Sequence, residues 1–428
     1  MKITTIPKKL KQILSKNKLN KLAKSIGFTK RERNITAFQL VTALICTLGD
    51  KHTDYLSDIL RCFNRLTNQN VKYKPFHNQL SKPALAELMK VIASKVFSLW
   101  INDVLNYKKG HFSQFNKVYI QDGSSFAVKD TLKNVWPGRF TKISPAAIEL
   151  HATINLQTGS FEQAIITPDT FSERGEMPNV KELKGNLFLA DRGYYSGEFI
   201  VNLDKAGGHY VLRAKGLKRV TITSATRADG KSLMKKKAIE LSKLQARLPK
   251  RQAVDMNVEI KGEVVRLIAF WSLKEKRHTY LITNLKRDEF SISDIDAIYR
   301  MRWQVELIFK ECKSHNSLHG FNTEKASIQE SLIWASLISV TLKRFISGCV
   351  ERIFKVEMST MLVSKTTVSW WYDVLEAIVQ QRRKALIIRI TETCYFLKEN
   401  AKRAHPKRDR DSGILQYALE PAFYAEIS

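Results

Sequence analysis

Tyr299, Arg302, Glu306 and Lys313 fall in one run, Tyr-Arg-Met-Arg-Trp-Gln-Val-Glu-Leu-Ile-Phe-Lys-Glu-Cys-Lys. A helix turns about 100° per residue, so these four side chains point within roughly 60° of one another. Lys310 lies beside that stripe. The rest of the circumference is largely apolar (Met301, Trp303, Val305, Leu307, Ile308, Phe309), which predicts a buried helix. A buried stripe carrying a carboxylate, a phenol and two cations needs partners for its charge, and metal and phosphate are partners of that kind. The plainer alternative is the solvated face of an amphipathic helix.

Two other carboxylates decide between these readings. Val118-Tyr-Ile-Gln-Asp122-Gly123 and Leu187-Phe-Leu-Ala-Asp191-Arg-Gly193 share one design, an apolar run that ends in Asp and a turn. Ligand sites in open α/β sheets gather at strand ends. With Glu306 they form a three-carboxylate set, which would repel itself unless divalent cations neutralise it. Hard oxygen ligands suit Mg2+ or Mn2+. Two such ions roughly 3.5–4 Å apart activate an attacking oxygen and stabilise a leaving one, which is phosphodiester chemistry. Arg302 and Lys313 are then placed to hold phosphates, and Tyr299 to bond a phosphate or stack on a base. Arg192 either contacts a phosphate or pairs with a sheet carboxylate. His151, alone on a strand, reads as a hydrogen-bonded structural residue.

The elements that must position these residues are legible in outline. Residues 1–34 carry eleven Lys or Arg against one acid, with apolar residues at helical spacing, and predict short basic helices. Thr36 to Leu48 suits a core helix and Asp54 to Leu66 an amphipathic one. Val71-Lys-Tyr-Lys-Pro is a break before a short helix at Phe76 to Leu80, so a helix-turn-helix is possible here. A long helix runs from Pro83 to about Leu105. Strands are predicted at Val118 to Gln121, Phe126 to Val128, Ile148 to Leu156, Phe161 to Thr167, Leu187 to Ala190 and His209 to Arg213. A turn falls at Gly159 and a helix at Ser196 to Leu203. More strands follow between 214 and 285, interrupted by a Lys-rich stretch at 231–251. One helix spans Ser291 to about Lys313. Residues 322–400 are mostly helical and end in a basic tail, Lys402 to Arg410.

Charge points to the partner. The chain has 428 residues and a formal net charge of +30, which predicts a polyanion, nucleic acid before acidic membrane. The most apolar run, Ser331 to Leu342, is too short to span a bilayer, and the basic N-terminus lacks a signal core. Five scattered cysteines without a C-x-x-C pair argue against disulfide scaffolding and structural zinc, and fit a reducing cytosol. No glycine-rich phosphate loop indicates a nucleotide cofactor.

The spacing Tyr-x2-Arg-x3-Glu-x6-Lys, met by Tyr299, Arg302, Glu306 and Lys313, resembles the YREK signature of DDE transposases of bacterial insertion sequences, the insertion-sequence-four type. Gln121-Asp122-Gly123 resembles that family's first aspartate motif and Asp191-Arg-Gly-Tyr194 its second. The resemblance implies an α/β chain with an RNase H-like mixed-sheet catalytic core at 113–213 and 286–320. It implies a strand-rich insertion at 214–285, a helical DNA-binding region at 1–112 and a helical C-terminal region at 321–428 that makes the dimer contact. Asp122, Asp191 and Glu306 would bind two Mg2+ ions, Mn2+ being a substitute. The enzyme would cut double-stranded DNA at the terminal inverted repeats of its element and join the 3′ ends to target DNA. It would act as a homodimer bridging two ends in the bacterial nucleoid, and family members commonly pass through a hairpin end. An aromatic near the end of the insertion would hold a flipped base; Tyr280 matches best by position, and Trp271 is the alternative. A same-fold metal nuclease and a non-catalytic DNA-binding derivative are the competing readings.

Overall fold

The computed structural model describes residues 2–405 except 32–33, 50–54, 102–111, 113, 157–159, 235–237, 273–274 and 317–320. The predicted turn at Gly159 and the end of the basic tail beyond 405 lie outside the described residues. So does the predicted end of the long helix near Leu105.

The N-terminal region is helical: α1 (Thr5–Ile13), α2 (Lys16–Ser25), α3 (Ala37–Thr47), α4 (Leu56–Thr67), α5 (Tyr73–Leu80) and α6 (Pro83–Ile101). Thr36 and Gln39 form a capping box that fixes the start of α3. Asn68, in the left-handed conformation, ends α4. The break expected through Pro75 is shorter than predicted. Proline is tolerated in a first helical turn, where its missing N–H has no intrahelical partner, so α5 already begins at Tyr73.

One sheet of ten strands forms the centre: β1 (Val118–Ala127), β2 (Ala147–Asn155), β3 (Ser160–Pro168), β4 (Leu187–Ala190), β5 (His209–Ala214), β6 (Thr221–Arg227), β7 (Ile239–Glu240), β8 (Val254–Ile260), β9 (Glu263–Ser272) and β10 (Arg277–Thr283). Their order is β3-β2-β1-β4-β5-β10-β9-β8-β6-β7. β1 is antiparallel to β2 and β2 to β3, whereas β1, β4 and β5 run parallel. β10 pairs antiparallel with β5, so the strands of 214–285 extend the central sheet. The Lys-rich stretch holds β7 and the short helix α8 (Leu241–Gln245). Helix α7 (Gly197–Lys205), capped by Ser196, follows β4.

Alternation along the strands divides the core. Leu187 and Leu189 of β4 join a buried cluster with the N- and C-terminal helices, whereas Phe188 and Ala190 face a second cluster with α7 and the later strands. All nine residues of β2 are buried, as a strand covered on both faces requires.

The C-terminal part comprises α9 (Ile292–Arg300), α10 (Trp303–His315), α11 (Ala326–Phe354), α12 (Thr360–Lys365), α13 (Trp371–Val379) and α14 (Arg383–Asn400). The apolar run at 331–342 belongs to α11, whose 29 residues are long and apolar enough to cross a membrane. That corrects the expectation of a short run. The most apolar window of α11 is 89% buried inside the protein. Within it Lys343 donates to Gly49 O at 3.1 Å and Asn316 Oδ1 at 2.8 Å, a buried cation that ties α11 to the end of α3 and the chain after α10.

Candidate active site

Asp122 and Asp191 come together through the parallel pairing of β1 and β4. The last pair of that ladder is Gln121 with Ala190, so both aspartates are the next residue along their chains. Asp191 follows β4 as predicted. Asp122 does not end its strand: β1 continues to Ala127 against β2 as one ten-residue strand. The strands read separately at 118–121 and 126–128 are therefore one, because β2 supplies hydrogen-bond partners beyond the point where β4 stops.

The single helix expected from Ser291 to Lys313 is two. α9 ends at Arg300, and Arg302 N and Val305 N bond back three residues, to Tyr299 O and Arg302 O. That tightened turn separates Tyr299 on α9 from Glu306 in the first turn of α10 and Lys313 in its last. An acid near the N-terminus and a cation near the C-terminus suit the α10 dipole. The stripe is also less enclosed than expected, since Trp303 is 53% exposed.

At the turn between these helices Arg302, itself 7% exposed, reaches across to the sheet. Its Nη1 donates to Asp122 Oδ2 at 2.9 Å and its Nη2 to Glu306 Oε1 at 2.6 Å. Tyr299 donates its hydroxyl to Asp191 Oδ1 at 3.0 Å, and Gly123 N donates to Asp122 Oδ1 at 2.9 Å. Burial pushes the Asp122 carboxyl up to about 7; Arg302 and the Gly123 N–H oppose the shift, and the charges of Glu306 and Asp191 add to it. Burial, with the Asp191 charge, likewise raises the Tyr299 phenol, so it remains a donor. The three carboxylates thus share one electrostatic neighbourhood.

The chemistry of the donor set is of the kind a hard divalent cation takes. The set offers only carboxylate oxygens, from three elements, around a buried cation that already balances two of them. Among the described residues no group of three or more His, Cys, Asp or Glu is gathered closely enough to hold a metal ion. The Arg302 guanidinium bridges Asp122 and Glu306 instead.

The other expected residues are distributed around this centre. Lys313 is half-buried and donates to Ser125 O at 2.8 Å, and burial lowers its pKa. Arg192 is exposed beside Asp191 and pairs with no carboxylate among the described residues. Lys310 is exposed. Tyr280 lies on β10 opposite Ala214 of β5, with its hydroxyl buried and without a hydrogen bond among the described residues. Trp271 on β9 is partly exposed, with Lys250 Nζ 4.7 Å from its ring centre. His151 is structural, as expected: buried, its Nε2 lies 3.0 Å from Thr167 Oγ1 and its pKa is lowered to about 4 by burial.

Sequence reasoning missed Glu149. It projects from β2 with 3% exposure, and its Oε1 lies 2.5 Å from where a Cβ on residue 123 would sit. A side chain at residue 123 would displace this carboxylate, which rests on the Gly123 backbone beside Asp122. A Cβ at Gly193 would likewise displace the carboxylate of Glu173. The signal was present as Asp-Gly and Asp-Arg-Gly, but the partner acids lie elsewhere in the chain. Burial raises Glu149 to about 7, with Glu173, Asp169 and Asp122 adding to the shift and Arg139 opposing it. Because the folded pKa lies above the ordinary carboxyl value, the folded state binds the extra proton, and this group costs stability increasingly as pH rises from about 4.5 to about 7. Glu149→Gln is therefore expected to raise the melting temperature at pH 8 and to change it little at pH 4. An equal shift at both pH values would remove the charge as the cause.

Comparison with known proteins gives the family. The family model described as the transposase DDE domain matches residues 113–342, more than half of the chain. The transposase for insertion sequence element IS1151 of Clostridium perfringens is 24% identical over 379 residues, covering 80% of each chain. The transposase for insertion sequence element IS231C of Bacillus thuringiensis subsp. berliner is 22% identical over 440 residues, covering 92% of this chain and 90% of the relative. Among solved structures, a piggyBac transposase synaptic complex with hairpin DNA aligns with a TM-score of 0.49 and 13% identity, over 89% of this chain and 82% of that one. The match to the DDE model over the very segment that brings Asp122, Asp191 and Glu306 together shows that this chain belongs to the DDE transposases of bacterial insertion sequences.

Proposed function

We propose that this transposase cuts double-stranded DNA at the terminal inverted repeats of its element and joins the 3′ ends to target DNA, with Asp122, Asp191 and Glu306 as its catalytic carboxylates. The observation that carries the reading is their convergence from β1, β4 and α10 on the Arg302–Tyr299 network. These carboxylates would hold two Mg2+ ions, with Mn2+ a substitute; when bound, such ions activate the attacking oxygen and stabilise the leaving one.

The chain's own groups do the positioning. Tyr299 fixes the Asp191 carboxylate by its hydrogen bond, and the Gly123 N–H fixes Asp122. Arg302 is the internal counter-ion of the unloaded site and a phosphate ligand once cations take over that charge. Lys313 keeps two N–H donors beyond its bond to Ser125, and exposed Arg192 adjoins Asp191; both serve phosphates. For a flipped base, the partly exposed Trp271 suits stacking better than Tyr280, whose hydroxyl is enclosed.

The wider reading rests on the same footing. The order β3-β2-β1-β4-β5, three antiparallel strands followed by two parallel ones, supports an RNase H-like core, and the signature residues support the YREK branch. In the N-terminal region α5 follows α4 after a short turn and exposes Tyr73, Lys74 and Asn78, which supports end binding by 1–112. Exposed Val368, Ile388 and Tyr395 support a homodimer contact in 321–428. The nucleoid is the matching location.

One assay tests the function. Purified protein is incubated with Mg2+, a fragment carrying the inverted repeats that flank its gene, and a target plasmid. Excision with joining is expected. Cutting without joining would make the protein a nuclease, and binding without cutting a non-catalytic derivative.

A further inference from the structure

The chain between β1 and β2 carries an apolar tip that the chemistry above does not use. Phe140 is 61% exposed and Ile143 87%, on a turn closed by Gly138 N donating to Pro145 O at 2.9 Å. A Cβ at Gly138 would strike the Ser144 carbonyl, so the turn is built tightly and needs glycine there. Phe171, 52% exposed, stands on the neighbouring segment. Such a group of apolar side chains on a rigid turn marks an interaction surface.

This tip is moored to the active site. Arg139, just before Phe140, donates its backbone N–H to Asp169 Oδ2 at 3.2 Å, and Asp169 Oδ1 accepts from Ser125 Oγ at 2.5 Å. Ser125 O in turn accepts from Lys313. The Arg139 side chain lies 3.5 Å from Glu149 Oε2, and the other oxygen of that carboxylate rests on Gly123, beside Asp122. One carboxyl group therefore separates the base of the tip from the reacting centre.

Charge selects the occupant. Lys133, Arg139 and Lys142 are exposed around the apolar residues, and residues 131–145 contain no acid. A two-fold contact between copies through this surface would set its cations against themselves. Cations flanking exposed apolar side chains suit a nucleic acid whose phosphates take the charges and whose unstacked bases receive the apolar tip. We propose that Phe140 and Ile143 are a wedge that enters the element end beside the scissile phosphate and holds its terminal base pairs apart. The inference rests on the end-cleavage reading above, because the DNA next to Asp122 is then the end being cut.

The test uses the full chain and two versions of the same end, one fully paired and one mismatched at the pairs next to the cut, each with 2-aminopurine at that step. With wild type, the paired end is expected to brighten on binding and to be cut. The double substitution Phe140→Ala and Ile143→Ala, on exposed side chains, is expected to abolish the brightening. It should slow cleavage of the paired end by about ten- to a hundredfold, the worth of one or two stacked bases. The mismatched end should restore the rate to within about threefold. Absent brightening with wild type, or equal slowing on both ends, would overturn the wedge. Normal end cleavage with lost joining to an intact plasmid would assign the surface to target DNA and overturn the proposal as stated. Failure of wild type to cut either end would instead refute the end-cleavage reading.

Discussion

Alanine at Asp122, Asp191 or Glu306 is expected to reduce end cleavage by at least about a thousandfold while leaving affinity for the end within a few-fold. The separation follows from where the groups sit. The three carboxylates add negative charge at the point where phosphate must approach, so none of them contributes binding energy to DNA without cations. In the proposed reading, binding falls to the basic groups around them, including Arg192 and Lys313. The losses should also be non-additive: a double substitution should be about as inactive as either single one, because residues acting as one unit fail together. Gel-shift affinity and single-turnover cleavage, measured on the same preparations in Mg2+, check both halves. Cleavage within tenfold of wild type in any single variant would remove that residue from the metal-holding set.

Local patterns announced the strands and helices of the candidate site better than their tertiary connections. Asp122 and Asp191 were legible because each follows an apolar run, and the register of β1 against β4 makes them neighbours. The continuation of β1 past Asp122 was not legible, since Gly123-Ser-Ser reads as a turn and the strand depends on partners from β2. The stripe on 299–313 is carried by two helices and not by the single one its periodicity suggests. Periodicity does not mark where one helix gives way to the next, and the tightened turn at Arg302 coincides with a side-chain contact to the sheet 180 residues away. Glu149 and Glu173 were invisible for a related reason: their roles lie in contacts with glycines distant in sequence. The strands of 214–285 were found, but their joining to β5 through β10 rests on a long-range pairing that no local pattern announces.

Arg302 offers the sharper physical test, because two roles predict different outcomes. If it were only a phosphate ligand, replacing it would leave the DNA-free protein unchanged. As the counter-ion of Asp122 and Glu306, its replacement by Met should destabilise the metal-free protein by roughly 3 kcal/mol, the low end for breaking a buried pair. The low end applies because both partners are partly solvated, with 37% of the Glu306 side chain and 17% of the Asp122 side chain exposed. The loss should depend on pH. Asp122 is held at about 7 with Arg302 opposing the upward shift, so without Arg302 its carboxyl rises further. At pH 6 the carboxyl then stays protonated and leaves little charge unpaired. As pH rises toward 9 the charge must form or the proton must be retained at a cost, so the gap between variant and wild type widens with pH. Mg2+ should narrow it: cations binding only the folded state stabilise it, and a site stripped of its internal cation binds them more tightly. Melting curves at pH 6, 7.5 and 9, with and without Mg2+, contain the whole test. Arg302→Lys should fall between Met and wild type, since a single ammonium cannot reproduce the fork that spans two carboxylates. A metal-free stability gap that is absent, or that narrows as pH rises, would return Arg302 to the role of a plain phosphate contact.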